Sequence, residues 1–332
     1  MRRPLFLTRL AGSLAAGSLL LAGCAQALPQ PSPDAASDEP QPVLTVEQTG
    51  AVLDDVGQVL AAADSSGNVD GLSARLVDPA LRIRVAQFRL NSRSQGSRPP
   101  TTLTTEDQIV VVAAEDAWPR TVVAVTVTPS GSTTPLLLVL RQADARSPYL
   151  LYGWVRLFPG VETPVMAAPE IGSRMLAADA DGFRATPADV LTWYSDVLEK
   201  GAESQHADAF EPDLYSETLQ SEIETGRESL EGIAQITLDA LAVRDGVVAL
   251  ETADGGALVV GQVTTSTGYK KTLSGATLTL GGEAGAWLGD GNVPALASVR
   301  HDSVIAFYVP ASDSQKITVL GAERALTDAS KV

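Results

Sequence analysis

The chain carries the same series of local sequence signals twice, once in each half. The first series opens at Thr45, which is spaced to form a capping box with Gln48, and the second opens at Thr186, an N-cap followed by Pro187. After each start, apolar residues recur at i, i+1, i+4, i+7 and i+8, which is typical of an amphipathic helix. The two stripes are Val52, Leu53, Val56, Val59 and Leu60, and then Val190, Leu191, Tyr194, Val197 and Leu198.

Two further signals follow each predicted helix in the same order. Val77–Leu81 and Phe210–Leu214 both read apolar, acidic, Pro, any residue, Leu. A predicted β-hairpin then ends each half, and the two hairpins align without a gap at a spacing of 168 residues. Their strands are Leu136–Arg141 with Tyr149–Gly153, and Val304–Val309 with Ile317–Gly321. Three signals in one order indicate an internal duplication.

Between the helices and the final hairpins, the pattern changes to β-strand. We predict strands at Gln108–Val112, Thr121–Thr128, Leu238–Val243, Val247–Thr252 and Ala257–Thr265. Asp-Gly pairs at 245–246 and 254–255 predict hairpin turns. Each half is therefore expected to be an α+β module, in which one or two N-terminal helices pack on a curved antiparallel sheet of about four strands. This order of elements resembles the NTF2-like and cystatin-like folds.

The N-terminal residues predict export and a lipid anchor. Three arginines precede an apolar run over residues 10–21, which is shorter than the roughly 20 residues that span a bilayer. The run ends in Leu21-Ala22-Gly23-Cys24, the form of a bacterial lipobox, and Cys24 is the only cysteine. We predict that Cys24 carries a diacylglyceryl group and anchors the chain at the outer face of the cell membrane. The alternative is an ordinary cleaved signal peptide.

These signals divide the chain into five segments. We predict a lipoprotein signal peptide at 1–23, a first module at 44–160, a linker at 161–185 and a second module at 186–328. Residues 24–43 are rich in Pro, Ala, Ser and acids without apolar periodicity, so we predict a disordered tether there. Because no second cysteine exists, disulfides cannot support the modules, and their cores must suffice.

The charge of the chain restricts its partners. The formal net charge is −16, and the predicted leader removes three arginines and no acid, which leaves the mature chain more acidic still. Such a chain is repelled by phosphates, so we expect no nucleic-acid partner. The membrane itself is then a partner only through Cys24.

The whole chain resembles a family of actinobacterial secreted lipoproteins. The resemblance is carried by the leader, the tether and the segments LRQADARSPYLLYGW and DSVIAFYVP. It implies extracytoplasmic display on a lipid anchor, and it implies no known activity.

The candidate catalytic residues are few. His301 and Asp302 are adjacent, as in a base with its orienting acid, but no G-x-S-x-G elbow accompanies them. We expect His301, at the start of an edge-like strand, to be solvated or to cap backbone, and His206 likewise. The acids Glu115, Asp116 and Asp144 have no spacing that fixes a glycosidase-like pair. We therefore predict no catalytic residue and no enzymatic activity.

Cofactor sites are equally weakly indicated. Asp179–Gly182 resembles part of a calcium loop, but its first and twelfth ligand positions fall on Ala177 and Ala188. The glycine-rich run at 281–291 lacks the lysine of a P-loop and is expected to be a flexible excursion. We predict no metal and no cofactor. Aromatic residues that are expected in the core, or else around an apolar or glycan ligand, are Trp118, Tyr149, Tyr152, Trp154 and Phe158.

Three functions remain open at this point. The favoured one is a non-catalytic binding or scaffolding protein of the cell envelope. The second is a carrier or sensor for a lipid or glycan, which requires an apolar pocket. The third is a cell-envelope hydrolase that uses His301 or a carboxylate pair.

Overall fold

The first half begins with the helix that its capping box predicts. The computed structural model describes residues 40–332, so the predicted leader, Cys24 and most of the tether lie outside the described residues. Helix α1 spans Val46–Ser66, with Thr45 Oγ1 accepting a hydrogen bond from the Gln48 amide and Gln48 Oε1 accepting one from the Thr45 amide. The helix ends where Gly67 adopts a left-handed conformation, as C-terminal glycines do.

A second helix and an antiparallel sheet complete this half. Helix α2 spans Ala80–Arg93. The strands are β1 (Asp107–Ala114), β2 (Arg120–Thr126), β3 (Leu136–Gln142) and β4 (Leu150–Arg156), and the two-residue β5 (Ser173–Arg174) joins β1 in parallel. The strand order is β4-β3-β2-β1-β5. Pro42 also bridges to Ala114, so ordered contacts begin before the predicted helix start.

The second half repeats this order of elements. Its helices are α3 (Pro187–Lys200) and α4 (Leu214–Ser229), followed by strands β6 (Ala234–Glu251) and β7 (Ala257–Lys271). A short helix α5 (Gly282–Leu288) precedes β8 (Leu296–Val309) and β9 (Thr318–Lys331). The four strands form an antiparallel sheet in the order β6-β7-β8-β9. The protein is therefore a mixed α+β structure with two sheets.

The repeated sequence signals mark equivalent places in the two halves. The apolar-acid-Pro signal leads into the second helix each time, since Leu81 lies in the first turn of α2 and Leu214 begins α4. The two predicted hairpins are β3–β4 and β8–β9, the third and fourth strands of each meander. A parallel bridge also joins the segment before each second helix to the fourth-strand region, Leu76 to Leu151 and Phe210 to Ile317.

One predicted turn is wrong. Asp245-Gly246 does not separate two strands, because β6 runs unbroken from Ala234 to Glu251 and its register with β7 shifts between Val243 and Val248. Gly246 does adopt a positive φ of 84°. Glycines take this conformation in β-bulges as well as in hairpin turns. The second Asp-Gly pair, at 254–255, does lie in the connection between β6 and β7.

The two sheets share a core. Alternate residues of a strand point to opposite faces. In the second sheet, one set packs against α3 and α4 and includes Ala249, Val259, Ile305, Phe307 and Val319. The other set belongs to the same cluster as α1 and the first sheet, and it includes Val248, Leu250, Leu258, Val260, Val304 and Ala306. Residues 40–332 accordingly form one compact unit.

The glycine-rich run at 281–291 is not the expected excursion. It contains α5, whose Trp287 is buried against α2, with the guanidinium of Arg89 lying 4.3 Å from the centre of the indole ring. In the described part of the chain, none of the helices has the length and apolar character that crossing a bilayer requires.

Candidate functional site

His301 and Asp302 do not form a catalytic pair. Strand β8 is an inner strand, not an edge, and the two neighbouring side chains point to opposite faces of the sheet. His301 Nδ1 lies 3.4 Å from Arg324 Nη2. Burial and the charge of Arg324 lower the pKa of His301 to about 3. A histidine in this setting stays neutral, and within the described residues its ring nitrogen contacts an arginine rather than an acid.

Asp302 instead lies in a charged cluster between the halves. Its carboxylate is fully buried and accepts hydrogen bonds from Arg82 Nε at 2.7 Å and Thr264 Oγ1 at 2.8 Å. Arg300 Nη2 lies 3.3 Å from the same group. Burial alone would raise the pKa of Asp302, but the hydrogen bonds from Arg82 and Thr264 and the arginine charges lower it. This Asp302 cluster joins α2 of the first half to the second sheet.

The remaining sequence candidates have local structural roles. The ring of His206 stacks on Trp193 at 4.7 Å between centroids. Glu115 accepts a hydrogen bond from the Ala117 amide, and Asp144 accepts bonds from the amides of Arg146 and Ser147. Asp179 and Asp181 are exposed in the connection before α3. No group of three or more potential metal-ligating side chains occurs among residues 40–332.

Most of the aromatic candidates lie in the core. Tyr149, Tyr152 and Trp154 are buried within the first half, and Phe158 packs partly buried against the core of the second half. Trp118 is the exposed member, with the guanidinium of Arg120 4.3 Å from its ring centre. In the second half, Tyr194, Phe210 and Phe307 pack edge-on or tilted at 5.2–6.4 Å. These three aromatic side chains thus pack against one another between α3 and the second sheet.

An apolar cavity of about 350 Å³ lies elsewhere, between the first sheet and the predicted linker. Its floor is formed by β1, β2 and β3 together with Leu258, and its other wall is the segment 163–169. Side chains around it that remain exposed include Ile109 at 48% and Val165 at 75%. We call this space the apolar cavity. Its lining suits an apolar group and supplies no charged side chain.

A second space, the polar cleft, lies between α2, the loop after it, α5 and β9. It measures about 280 Å³. Glu323 lines it and is buried, with Oε1 accepting hydrogen bonds from Thr101 Oγ1 at 2.6 Å and Gln87 Nε2 at 3.0 Å. Burial raises the pKa of Glu323, although hydrogen bonds from Thr101, Trp154 and Gln87 and the charge of Arg156 act in the opposite direction. Arg98 and Glu283 line the same cleft.

One protein-family model matches the chain over both halves and the connection between them. A family model described as a domain of unknown function (DUF8094) matches residues 40–331. The chain belongs to the DUF8094 family. No curated protein and no solved structure matches it. That one domain spans both halves agrees with the core that the two sheets share.

The sequence did not indicate the two spaces. Gln87, Thr101 and Glu323 each have ordinary sequence surroundings, and 222 residues separate Thr101 from Glu323. The apolar cavity is bounded by a segment that was interpreted only as a linker. The one local signal was the unusual Pro and Ala content of TPVMAAP at 163–169, which marks an extended, apolar connection.

Proposed function

We propose that this DUF8094 chain is a membrane-anchored extracytoplasmic lipoprotein that binds another component of the cell envelope without catalysis. The lipobox at Cys24 supports the anchor, because a chain with only one cysteine has it where acylation requires it. The Pro-rich residues 25–39 support a tether that holds the folded part away from the bilayer. The resemblance to actinobacterial secreted lipoproteins supports the same location.

The apolar cavity is the observation that carries the binding function. Pockets for small ligands typically measure about 300–1,000 Å³, so 350 Å³ is enough for one apolar group such as an aromatic side chain or a short acyl segment. Two exposed apolar side chains of the lining, Ile109 and Val165, extend this surface. A cavity with an apolar rim is better suited to a partner that inserts one side chain than to a ligand that is enclosed completely.

We also propose that each half is an NTF2-like or cystatin-like module. Support comes from the repeated order of two helices followed by a four-stranded antiparallel meander, and from helices packed on one face of the second sheet. An experimental structure tests this proposal. The two halves should superpose on one another and on either fold over helices and all four strands, and failure of that superposition would reject it.

The anchor is tested by replacing the acylated residue. In the native host, Cys24→Ser should abolish labelling by radioactive palmitate and move the protein out of the membrane fraction. Gln26→Ala, two residues beyond Cys24, is the matched control and should remain membrane-bound. Palmitate labelling of the Cys24→Ser protein, or an unlabelled wild type, would contradict the anchor.

The binding site is tested by replacing each of two alanines in the linker with phenylalanine. Ala168 lines the apolar cavity and Ala177 does not, yet both are exposed. We expect Ala168→Phe to obstruct the cavity and to lose partners that co-purify from solubilised membranes after cross-linking. The wild type and Ala177→Phe should retain the same partners. Recovery of one unchanged set with all three proteins would argue against the cavity as the binding site.

A second candidate function is a carrier or sensor for a lipid, which the apolar lining also favours. The neutral dye N-phenyl-1-naphthylamine reports such a site, because its fluorescence rises in apolar surroundings. The wild type and Ala177→Phe should enhance the dye's emission, and Ala168→Phe should not. If the wild type did not enhance the dye's emission, the carrier function would be rejected and the partner-binding function would remain.

A further inference from the structure

The strand β1 has an outer edge that is covered at one end. There, β5 pairs with Ala113 and Ala114, and the Val43 amide donates to the Ala113 carbonyl at 2.9 Å. Over residues 107–112, no backbone hydrogen bond from the described part of the chain reaches this edge. Every second residue of an edge strand turns its N–H and C=O away from its one neighbour. These groups can therefore bond to an added strand.

The other sheet edges differ from this one. Strand β4 exchanges backbone hydrogen bonds with residues 75–77, and β9 accepts one from the Phe158 amide. The edge of β6 is crossed by Glu199, whose Oε2 accepts a hydrogen bond from the Ala240 amide at 3.4 Å. The cleft beside β6 is lined mainly by polar side chains. An open edge next to an apolar space is thus found at β1.

The apolar cavity reaches the edge of β1. That strand contributes the consecutive residues 109–111 to the lining, whereas β2 contributes the alternate residues Val123 and Val125. Alternate side chains of a strand point to opposite faces, so three consecutive lining residues place the cavity against the strand's edge. The far wall, 163–169, makes no backbone hydrogen bond to β1 among residues 40–332. A strand added to β1 would therefore lie beside the cavity.

The rim of the cavity is acidic. Four exposed acids flank it, two at the start of β1 and two at the ends of the far wall, namely Glu106, Asp107, Glu162 and Glu170. None of them takes part in an ion pair within the described residues. Residues 99–119 and 157–173 contain no lysine and no arginine. This charge favours a partner with basic residues beside its apolar one.

We propose that the partner of the apolar cavity is an extended peptide segment of another protein, which adds to β1 as a strand. One apolar side chain of the segment enters the cavity, and lysine or arginine residues beside it face the acidic rim. Main-chain hydrogen bonds to residues 107–112 supply affinity, while the cavity and the acids select the sequence. This inference rests on the proposed binding function and specifies the class of its partner.

Selection of peptides tests the predicted sequence preference. A phage library of random dodecapeptides is selected on the purified full chain. We expect enrichment of peptides in which an aromatic or aliphatic residue has lysine or arginine within two positions. The wild type and Ala177→Phe should enrich the same peptides, and Ala168→Phe should not. Absence of enrichment, enrichment of acidic peptides, or an unchanged result with Ala168→Phe would overturn the proposal.

Two pairs of charge substitutions test the acidic rim. The most enriched peptide is synthesised with a fluorophore, and its affinity is measured by fluorescence anisotropy at low ionic strength. Glu162→Gln with Glu170→Gln should weaken binding at least fivefold. The matched control is Asp179→Asn with Asp181→Asn, two exposed acids of the same connection that do not line the cavity, and it should bind as the wild type does. Equal weakening by both pairs would contradict recognition at the rim.

Strand addition is tested through the peptide's own amides. Two versions of the peptide are N-methylated at alternate residues, in the two possible registers. Because only one set of amides can donate to β1, one version should bind at least tenfold more weakly and the other should retain most of its affinity. Hydrogen exchange of residues 107–112 should slow when the unmodified peptide binds, while exchange of residues 234–243 on the β6 edge should not. Similar affinities of the two versions, or unchanged exchange at 107–112, would overturn strand addition.

Failure of this inference can be told apart from failure of the proposed function. Cross-linked partners that are lost with Ala168→Phe, combined with no enrichment of peptides, would reject the added strand and retain the cavity as a binding site. Partners and peptides that are both unaffected by Ala168→Phe would reject the two together.

Discussion

At the scale of single residues, Arg82 of the Asp302 cluster bonds to two acids that differ greatly in their exposure to water. Arg82 bonds to Asp302, whose side chain is 0% exposed, and to Asp78, whose side chain is 56% exposed. Exposed ion pairs contribute about 0–1 kcal/mol, because water screens them and solvates either partner alone. Loss of the buried acid costs more, because the hydrogen bonds that Asp302 accepts from Arg82 and Thr264 are charge-assisted and shielded from water on the acid's side.

Asparagine substitutions of the two acids test this difference. Asp302→Asn leaves Arg82 and Arg300, both partly exposed, facing a neutral group, and we expect it to lower the free energy of unfolding by about 2 kcal/mol. Asp78→Asn, the matched control on the same arginine, should change it by less than about 1 kcal/mol. Urea denaturation measures both. Equal effects of the two substitutions would show that the Asp302 cluster does not stabilise the junction.

His301 predicts how stability depends on pH. Its pKa is about 3 in the folded protein, because of burial and the charge of Arg324, against roughly 6.5 for an unfolded histidine. Between these values the unfolded state binds a proton that the folded state does not, so stability falls as pH falls, by about 1.4 kcal/mol per unit. Asp302 acts weakly against this shift.

Replacing each of the two histidines in turn isolates that contribution. We expect His301→Gln to flatten the decrease in the free energy of unfolding between pH 6.5 and 4, as measured by urea denaturation at each pH. His206→Gln, at the partly exposed ring stacked on Trp193, is the matched control for the loss of one histidine. The same slope in all three proteins would show that acid sensitivity arises elsewhere, for example at carboxyl groups whose pKa is lowered in the folded protein.

At the scale of elements, local sequence signals were sufficient where the structure depends on local physics. The starts of α1 and α3 follow from Thr45 and Thr186, whose side chains accept the expected backbone hydrogen bonds. The unbroken β6 was missed because Gly246 serves a distant contact: a Cβ there would lie 2.6 Å from Tyr152 Oη of the other half. The polar cleft was missed for the same reason, since its residues meet only through the tertiary fold.

Helix α1 offers a test of local against tertiary effects within one element. Gly50→Ala adds a methyl group to open space, and it should raise the free energy of unfolding by about 0.5–1 kcal/mol through helix propensity. A Cβ at Gly57 would lie 2.5 Å from Thr105 Oγ1, so Gly57→Ala must displace that side chain and should not stabilise. Thermal unfolding of both variants measures the difference. Equal stabilisation would mean that the loop at Thr105 yields freely.

At the scale of the whole molecule, the two halves form one structural unit. The Phe158 amide donates to the Leu320 carbonyl at 2.9 Å, and Met175 bridges to Leu250, so backbone as well as side chains joins the halves. A Cβ at Gly153 would lie 3.0 Å from Val304, which shows how closely the two sheets approach. Modules that merely follow one another on a chain would lack such contacts.

Unfolding of the two halves should therefore coincide. Trp118 and Trp154 report on the first half and Trp193 on the second, whereas Trp287 lies against α2. Variants that keep either the first pair or Trp193 alone therefore give separate fluorescence signals. We expect equal urea midpoints, as in a two-state transition.

Gly321→Ala tests the coupling directly, because it places a methyl group against the carbonyl of Arg156. It should lower both midpoints together and reduce the free energy of unfolding by at least about 2 kcal/mol. Gly71→Ala, where a Cβ meets nothing within 4 Å, is the control and should change neither midpoint appreciably. Two separate midpoints in the parent, or a shift confined to the second half, would show that the halves unfold independently and that the shared core does not couple them.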